Sequence, residues 1–175
     1  VTTGEQRGHS LEFYHSVEVN TTMCLPRCDA VVLTVNENPV YTKWIELAFK
    51  SWEKIGVQPY VFFVCHDDFD LHEIADFKTY IHMVIRIPQV WRTSSFAQVS
   101  RLVIPATLTQ HKNIIISDID YVILPSKYWD ISACEEDKFI GMRKKGDVEF
   151  FMPFNSASPK MWSQVFDVPW DTDII

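Results

Sequence analysis

Glycine is scarce in this chain: only five of the 175 residues, at positions 4, 8, 56, 141 and 146. No spacing among them makes G-x-G-x-x-G or G-x-x-x-x-G-K-[ST], so a glycine-rich phosphate cradle is excluded and any phosphate must be held by other means. Positive charge is in deficit. Sixteen Lys and Arg stand against 23 Asp and Glu, and the net charge of -7 repels nucleic acid and anionic membrane surfaces at long range, which sets nucleic-acid binding aside. Long apolar runs are absent: a membrane helix needs about 18 residues, whereas the stretch Tyr60 to Cys65 is only strand-length. No membrane span is expected in this chain. Cysteine is limited to positions 24, 28, 65 and 134, and the lone C-x-x-x-C pair has no second Cys or His pair at finger spacing, so zinc has no support. Free thiols in a reducing compartment and a Cys24–Cys28 disulfide stay open as alternatives. The single sequon, Asn20-Thr21-Thr22, is too short to argue for secretion.

What is present is a core. Hydrophobic residues make up 47% and aromatics 14%, enough apolar surface to offset the entropy of ordering one domain. Residues 1–28 are polar and aperiodic and read as an irregular N-terminal arm, with the ordered domain expected over 29–175. The start at Val1 and the end in Asp173-Ile174-Ile175 suit a processed chain or a fragment. The expectation is a soluble domain, cytoplasmic, or Golgi-lumenal if an anchor has been removed.

Strands and helices alternate along the chain. Ala30 to Val35 is a β-branched run stopped by Asn36-Glu37-Asn38-Pro39, where Asn38 can cap a helix and Pro39 suits its first turn. Tyr41, Trp44, Ile45, Ala48, Trp52 and Ile55 then recur at the spacings of one helical face, and Gly56 is a natural stop. A buried strand follows from Gln58 to Cys65 and another near Met83 to Ile87. Ser94 or Ser95 would cap a helix with Phe96, Val99, Leu102, Val103 and Ala106 on one face, kinked at Pro105. Asn113 to Ser117 is the next strand, Tyr121 to Leu124 resumes extended structure, and short strands fall at Lys138 to Met142 and Phe150 to Phe154. Pro159 to Phe166 closes as a short helix. This pattern predicts a three-layer α/β/α domain with a mostly parallel central sheet.

The chemistry concentrates at Asp118-Ile119-Asp120. Two carboxylates at i and i+2 after a buried strand lie where open α/β sheets bind ligands. In extended chain they share a side and can aim oxygens at one hard cation, Mg2+ or Mn2+, with a ligand's phosphates completing the shell. Aspartates at an exposed strand end contribute little to a core, so both are expected to be replaceable without loss of fold. A solvated turn is the bland alternative.

The segment Ile114-Ile115-Ile116-Ser117-Asp118-Ile119-Asp120-Tyr121-Val122 resembles the D-x-D segment of GT-A fold glycosyltransferases, and three further segments are similar in order and approximate spacing. Thr34-Val35-Asn36 resembles the nucleotide-base pocket after the first strand. Phe96-Ala97-Gln98-Val99-Ser100-Arg101-Leu102 resembles the helix whose basic residue approaches the donor diphosphate. Phe154-Asn155-Ser156-Ala157 resembles the F-N-S-G strand bordering the donor sugar, with Ala157 in place of glycine. The resemblance covers residues 29–175. It implies a metal-dependent transferase moving a sugar from a UDP- or GDP-linked donor to a glycan or protein acceptor. It further implies that Asp118 and Asp120 hold the metal, that Thr34, Val35, Asn36, Ser117, Ile119, Asn155 and Ser156 bind the nucleotide sugar, and that Arg101 binds the diphosphate and takes part in catalysis. Asp171 and Asp173 fall where members of the fold have an acidic helix start that serves as general base or holds sugar hydroxyls. No histidine follows the D-x-D to match the third metal ligand of many members; His66, His72, His82 and His111 all precede it.

A divalent cation and Arg101 would stabilise the negative charge that develops on a departing nucleotide diphosphate. Two other readings stay open. Haloacid-dehalogenase-like phosphatases also carry D-x-D-x-[TV], with the first Asp as nucleophile, but that motif normally sits near the start of its domain. The other is a domain that binds nucleotide sugar without turning it over.

Overall fold

Val, Leu and Phe fill most of β1 (Ala30–Asn36) and β2 (Gln58–His66) without alternating with polar residues, because both faces of these strands are covered. The computed structural model describes residues 28–74, 77–124, 138–141, 144–145, 149–150 and 153–168. In order, β1 is followed by α1 (Pro39–Thr42), α2 (Ile45–Lys54), β2, α3 (Phe77–Tyr80), β3 (Ile81–Ile87), α4 (Thr93–Val103) and β4 (Ile114–Asp118). Then come β5 (Ile140–Gly141), β6 (Lys144–Lys145), β7 (Glu149–Phe150), β8 (Asn155–Ala157) and α5 (Pro159–Phe166). The six-stranded sheet has the order β3-β2-β1-β4-β8-β5. Its first four strands are parallel, while β8 runs antiparallel to β4 and β5. β6 and β7 form a separate antiparallel pair.

Side chains divide by parity along β1. Val31, Leu33 and Val35 pack with Ile45, Ala48 and Trp52 of α2, whereas Ala30 and Val32 pack on the other face with Ile104, Ala106 and Trp162 of α5. Ala97 of α4 joins Val64 and Ile87 on that second face. The sheet is thus the middle of three layers, as the alternating pattern predicts. No helix among the described residues is long and apolar enough to cross a membrane.

Several elements differ from the sequence expectation. The helix after Asn38 is two helices: Asn38 does cap α1, its side chain accepting from the Val40 amide at 2.9 Å, but the chain tightens at Lys43-Trp44 before α2 begins. Tyr41 is thereby left exposed instead of joining the buried face. Gly56 ends the second helix at φ +80°, a conformation glycine adopts without strain. In α4 the N-cap is Arg92, not Ser94 or Ser95, and no side chain caps it. Its buried residues are Thr93, Ala97, Ser100 and Arg101, while Val99 is exposed, so the helix turns a small and polar stripe inward. The α-helix ends at Val103 and passes into a 3-10 turn through Pro105. Tyr121 to Leu124 pairs with no strand among the described residues. Of the strand expected at Phe150 to Phe154, Phe150 lies in β7, positions 151 and 152 lie outside the described residues, and Phe154, at φ 67°, turns the chain just before β8. α5 matches its expected span, capped by Ser158, whose hydroxyl accepts from the Met161 amide at 3.2 Å.

The amino ends of β1, β2 and β4 are drawn together by Asp29. Its carboxylate accepts from the amides of Asn113 at 2.8 Å and Lys112 at 3.0 Å and meets His111 Nδ1 at 3.2 Å, while His111 Nε2 reaches the Tyr60 hydroxyl at 2.8 Å. Burial raises the Asp29 pKa, but the amides and His111 outweigh it and hold the carboxyl below the usual aspartate value. The stabilisation is present above the unfolded-state pKa and disappears as pH falls through the lowered folded value. Asp29→Ala is expected to cost on the order of 2 kcal/mol at pH 7. Urea melts should show the gap from wild type closing as pH falls below about 4, the ordinary aspartate range.

Candidate functional site

Three buried isoleucines, Ile114 to Ile116, seat β4 beside β1 and bring Asp118 opposite Thr34 at the carboxyl end of the sheet. β4 ends at Asp118. Ile119 and Asp120 form a turn, closed by the Tyr121 amide on the Asp118 carbonyl at 3.4 Å, so the two aspartates are not two positions of one extended strand. The turn has a driving force: Ile119 is buried in the core on the α2 side. Both aspartates still line one cleft of about 210 Å³.

Arg101 forms the floor of this cleft. It is only 4% exposed, and its guanidinium pairs with the Asp118 carboxylate and donates to the Ser117 carbonyl at 3.2 Å. Burial lowers its pKa to about 10, opposed by Asp120, so the group is charged at neutral pH. Asp118, at 36% side-chain exposure, is therefore the counter-ion of a buried cation and not a freely solvated strand-end carboxylate. Asp120 is exposed.

The wall opposite comes from β1 and α4. Thr34 and Asn36 face α4: the Thr34 hydroxyl donates to the Ala97 carbonyl at 2.7 Å, and the Asn36 amide donates to Thr93 Oγ1 at 3.3 Å. Val35 meets the cleft although its side chain is buried in the core. Among the other residues expected at the site, Ser117 is buried and contributes its carbonyl to Arg101. Asn155 and Ser156 do not line this cleft; they lie on β8, paired with Ile116 and Ile115, and the Ser156 hydroxyl donates to Asn113 Oδ1 at 3.1 Å. Asp171 and Asp173 lie outside the described residues.

Tyr41, Ser94 and Gln98 line the cleft without having been singled out from the sequence. For Tyr41 the helical spacing misled, because the break at Lys43-Trp44 rotates it away from the core. The polar stripe of α4 was readable at i, i+4, i+7 and i+8 as Thr93, Ala97, Ser100 and Arg101, but an apolar face was the stronger pattern.

The described residues hold no cluster of three or more His, Cys, Asp or Glu suited to a metal. Asp118 and Asp120 are the carboxylates of this cleft, and a hard cation met by two carboxylates takes its remaining positions from phosphate oxygens and water. The ion pair separates the two aspartates in stability. Asp118→Ala should cost about 3 kcal/mol because it strands a buried guanidinium. Asp120→Ala should stay within about 0.5 kcal/mol of wild type, both read by urea denaturation at pH 7.

No protein-family model and no curated protein matches the sequence. Solved structures do. The apo form of the glycosyltransferase GlyE of Streptococcus pneumoniae TIGR4 is similar at 17% identity and a TM-score of 0.51, over 81% of this chain and 36% of GlyE. The galactosyltransferase LgtC, in complex with donor and acceptor sugar analogs, is similar at 12% identity and a TM-score of 0.50, over 79% of this chain and 61% of LgtC. The chain thus spans about a third of GlyE and somewhat under two thirds of LgtC. At these identities the likeness is one of fold, and the fold is that of GT-A type glycosyltransferases.

Proposed function

We propose that the protein is a glycosyltransferase that takes a sugar from a UDP- or GDP-linked donor and passes it to a hydroxyl of a glycan or protein acceptor. The observation carrying this reading is the meeting of Arg101, Asp118 and Asp120 with Thr34 and Asn36 in one cleft at the carboxyl ends of parallel strands. This is the end at which open α/β sheets take ligands. The likeness in fold to LgtC, solved with donor and acceptor sugar analogs, supports it. At about 210 Å³ the cleft is smaller than pockets enclosing a whole drug-sized ligand, so the described residues supply one part of the site.

In this reading Arg101 faces the diphosphate as a fixed cation. Its charge is covered from solvent, so its field on a developing negative charge is little screened. Asp118 and Asp120 would hold Mn2+ or Mg2+, which supplies electrophilic stabilisation of the departing diphosphate. Thr34 and Asn36 present the base and ribose wall, with the Thr34 oxygen still able to accept. Asp171 and Asp173 are the candidates for the acceptor side, as base or as partner of sugar hydroxyls. The phosphatase alternative is disfavoured by the three parallel strands that precede Asp118 in the same sheet, a stretch that chemistry does not need.

Thermal-shift measurements with UDP and GDP, each with and without Mn2+, test the reading. Stabilisation that depends on the cation is expected, worth about 2.7 kcal/mol at one hundred times the dissociation constant. Asp120→Ala should abolish the cation-dependent part while melting like wild type without ligand. A shift identical with and without Mn2+, or retained in Asp120→Ala, would contradict the metal assignment. No shift with either nucleotide would contradict the donor class.

A further inference from the structure

His66 ends β2 next to the loops that rim the cleft, and both of its ring nitrogens face oxygens that can only accept. Nδ1 lies 2.6 Å from Glu37 Oε1, and Nε2 lies 3.1 Å from the carbonyl oxygen of Trp91. Neutral imidazole has a single N–H, and neither a carboxylate nor a peptide carbonyl has a proton to give. Both contacts are hydrogen bonds together only in the imidazolium form. Glu37 is held in place to serve as partner, since its other carboxylate oxygen accepts from the His66 amide at 2.9 Å.

The two partners belong to different connections beside the cleft. Glu37 follows Asn36 in the connection from β1 to α1, and Trp91 precedes α4, whose Ser94 and Gln98 line the cleft. Trp91 is itself fixed, its amide donating to the Pro88 carbonyl at 3.0 Å and its ring stacked on Phe96 at 5.6 Å. The same two stretches are joined a second time, by Asn36 and Thr93. Trp91 lies two residues before Thr93, the first residue of α4, so its placement bears on how that helix starts.

We infer that His66 is a positioning residue for the nucleotide cleft: as imidazolium it fastens the β3–α4 connection to the β1–α1 connection, and on losing its Nε2 proton to water it lets the Trp91 carbonyl go. Nδ1–H stays, because the Glu37 carboxylate stabilises it. The nucleotide part of this role rests on the function proposed above; the titration does not.

The charged groups around His66 favour the protonated state. Glu37 faces it from the β1–α1 connection and Asp68 from the loop after β2, while Arg86 of β3 spends its guanidinium on the carbonyls of His66, Asp67 and Phe69. The Trp91 carbonyl raises the His66 pKa most; partial burial opposes it, and Glu37 and Asp68 add to the rise. With a folded value above the unfolded one, the fastening is complete below about pH 6.5, the ordinary histidine value, and lost as pH rises through the folded value.

The test follows His66 by NMR of its imidazole in the whole chain, together with amide exchange at residues 89–92 and affinity for UDP and GDP with Mn2+ across the same pH range. His66 should titrate above 6.5, Glu37→Gln should lower that value, and exchange at 89–92 should quicken as the proton leaves. Wild-type affinity should weaken about threefold or more once the competent fraction falls to about a third. His66→Gln should bind weakly throughout and lose that part of the pH dependence, a comparison that cancels ionisation of the nucleotide itself. Titration at or below 6.5, or exchange indifferent to it, would overturn the fastening. A pH profile unchanged in His66→Gln would overturn its coupling to the cleft, as would absence of binding by either nucleotide at every pH, an outcome that also removes the proposed donor.

Discussion

A guanidinium kept at 4% exposure cannot stand without a counter-charge, and this requirement at Arg101 organises one end of the molecule. Asp118 supplies the charge and Ser117 a carbonyl, so α4 is pinned to the end of β4. Around that pin α4 turns inward Thr93, Ala97 and Ser100, residues small enough to lie close to β1, where Thr34 reaches the Ala97 carbonyl. The cleft is the space left above. Replacing a buried ion pair by apolar residues is often neutral or stabilising, so the pair is poor evidence for stability by itself. The pair lines the same cleft as the exposed Asp120.

The two ends of the sheet are built differently. At the amino end Asp29 is saturated by two amides and a histidine, which itself reaches the Tyr60 hydroxyl, and the strands are held shut. At the carboxyl end the polar groups face outward into a cleft, and the neighbouring loops are joined by a few bonds between side chains and backbone. Stability resides mainly in the strands and α2, where Trp52 and the valines of β1 are fully buried, which leaves the carboxyl end free to carry function.

How far the sequence was legible follows from which force dominates locally. Runs of apolar residues without alternation disclosed β1, β2 and β4, since strands covered on both faces use such runs. Pro159 marked the start of α5, and Gly56 the end of α2, because helix starts and stops act through neighbouring backbone. Long-range effects hid the rest. The inward stripe of α4 is dictated by the cleft and not by apolarity, so periodicity chose the wrong face. The turn at Ile119 is dictated by a core position on the far side of the sheet, which no local pattern reveals. The start of β8 at Asn155 follows one left-handed residue, Phe154, of a type that rarely adopts that conformation. Thr34, Asn36, Arg101, Asp118 and Asp120 are legible in the sequence as candidate site residues and meet in one cleft, whereas Asn155 and Ser156 serve the β4–β8 pairing away from it.

The central claim is that this cleft takes a nucleotide diphosphate through a cation held by Asp118 and Asp120 beside the Arg101 charge. The most direct measurement is a crystal structure of the chain with UDP or GDP and Mn2+, with anomalous scattering recorded for manganese. The account predicts a single anomalous peak within ligand distance of Asp118 and Asp120 oxygens, bridged to the diphosphate, with the base against Thr34 and Asn36. A nucleotide bound elsewhere on the protein, or manganese held without either aspartate, would contradict it.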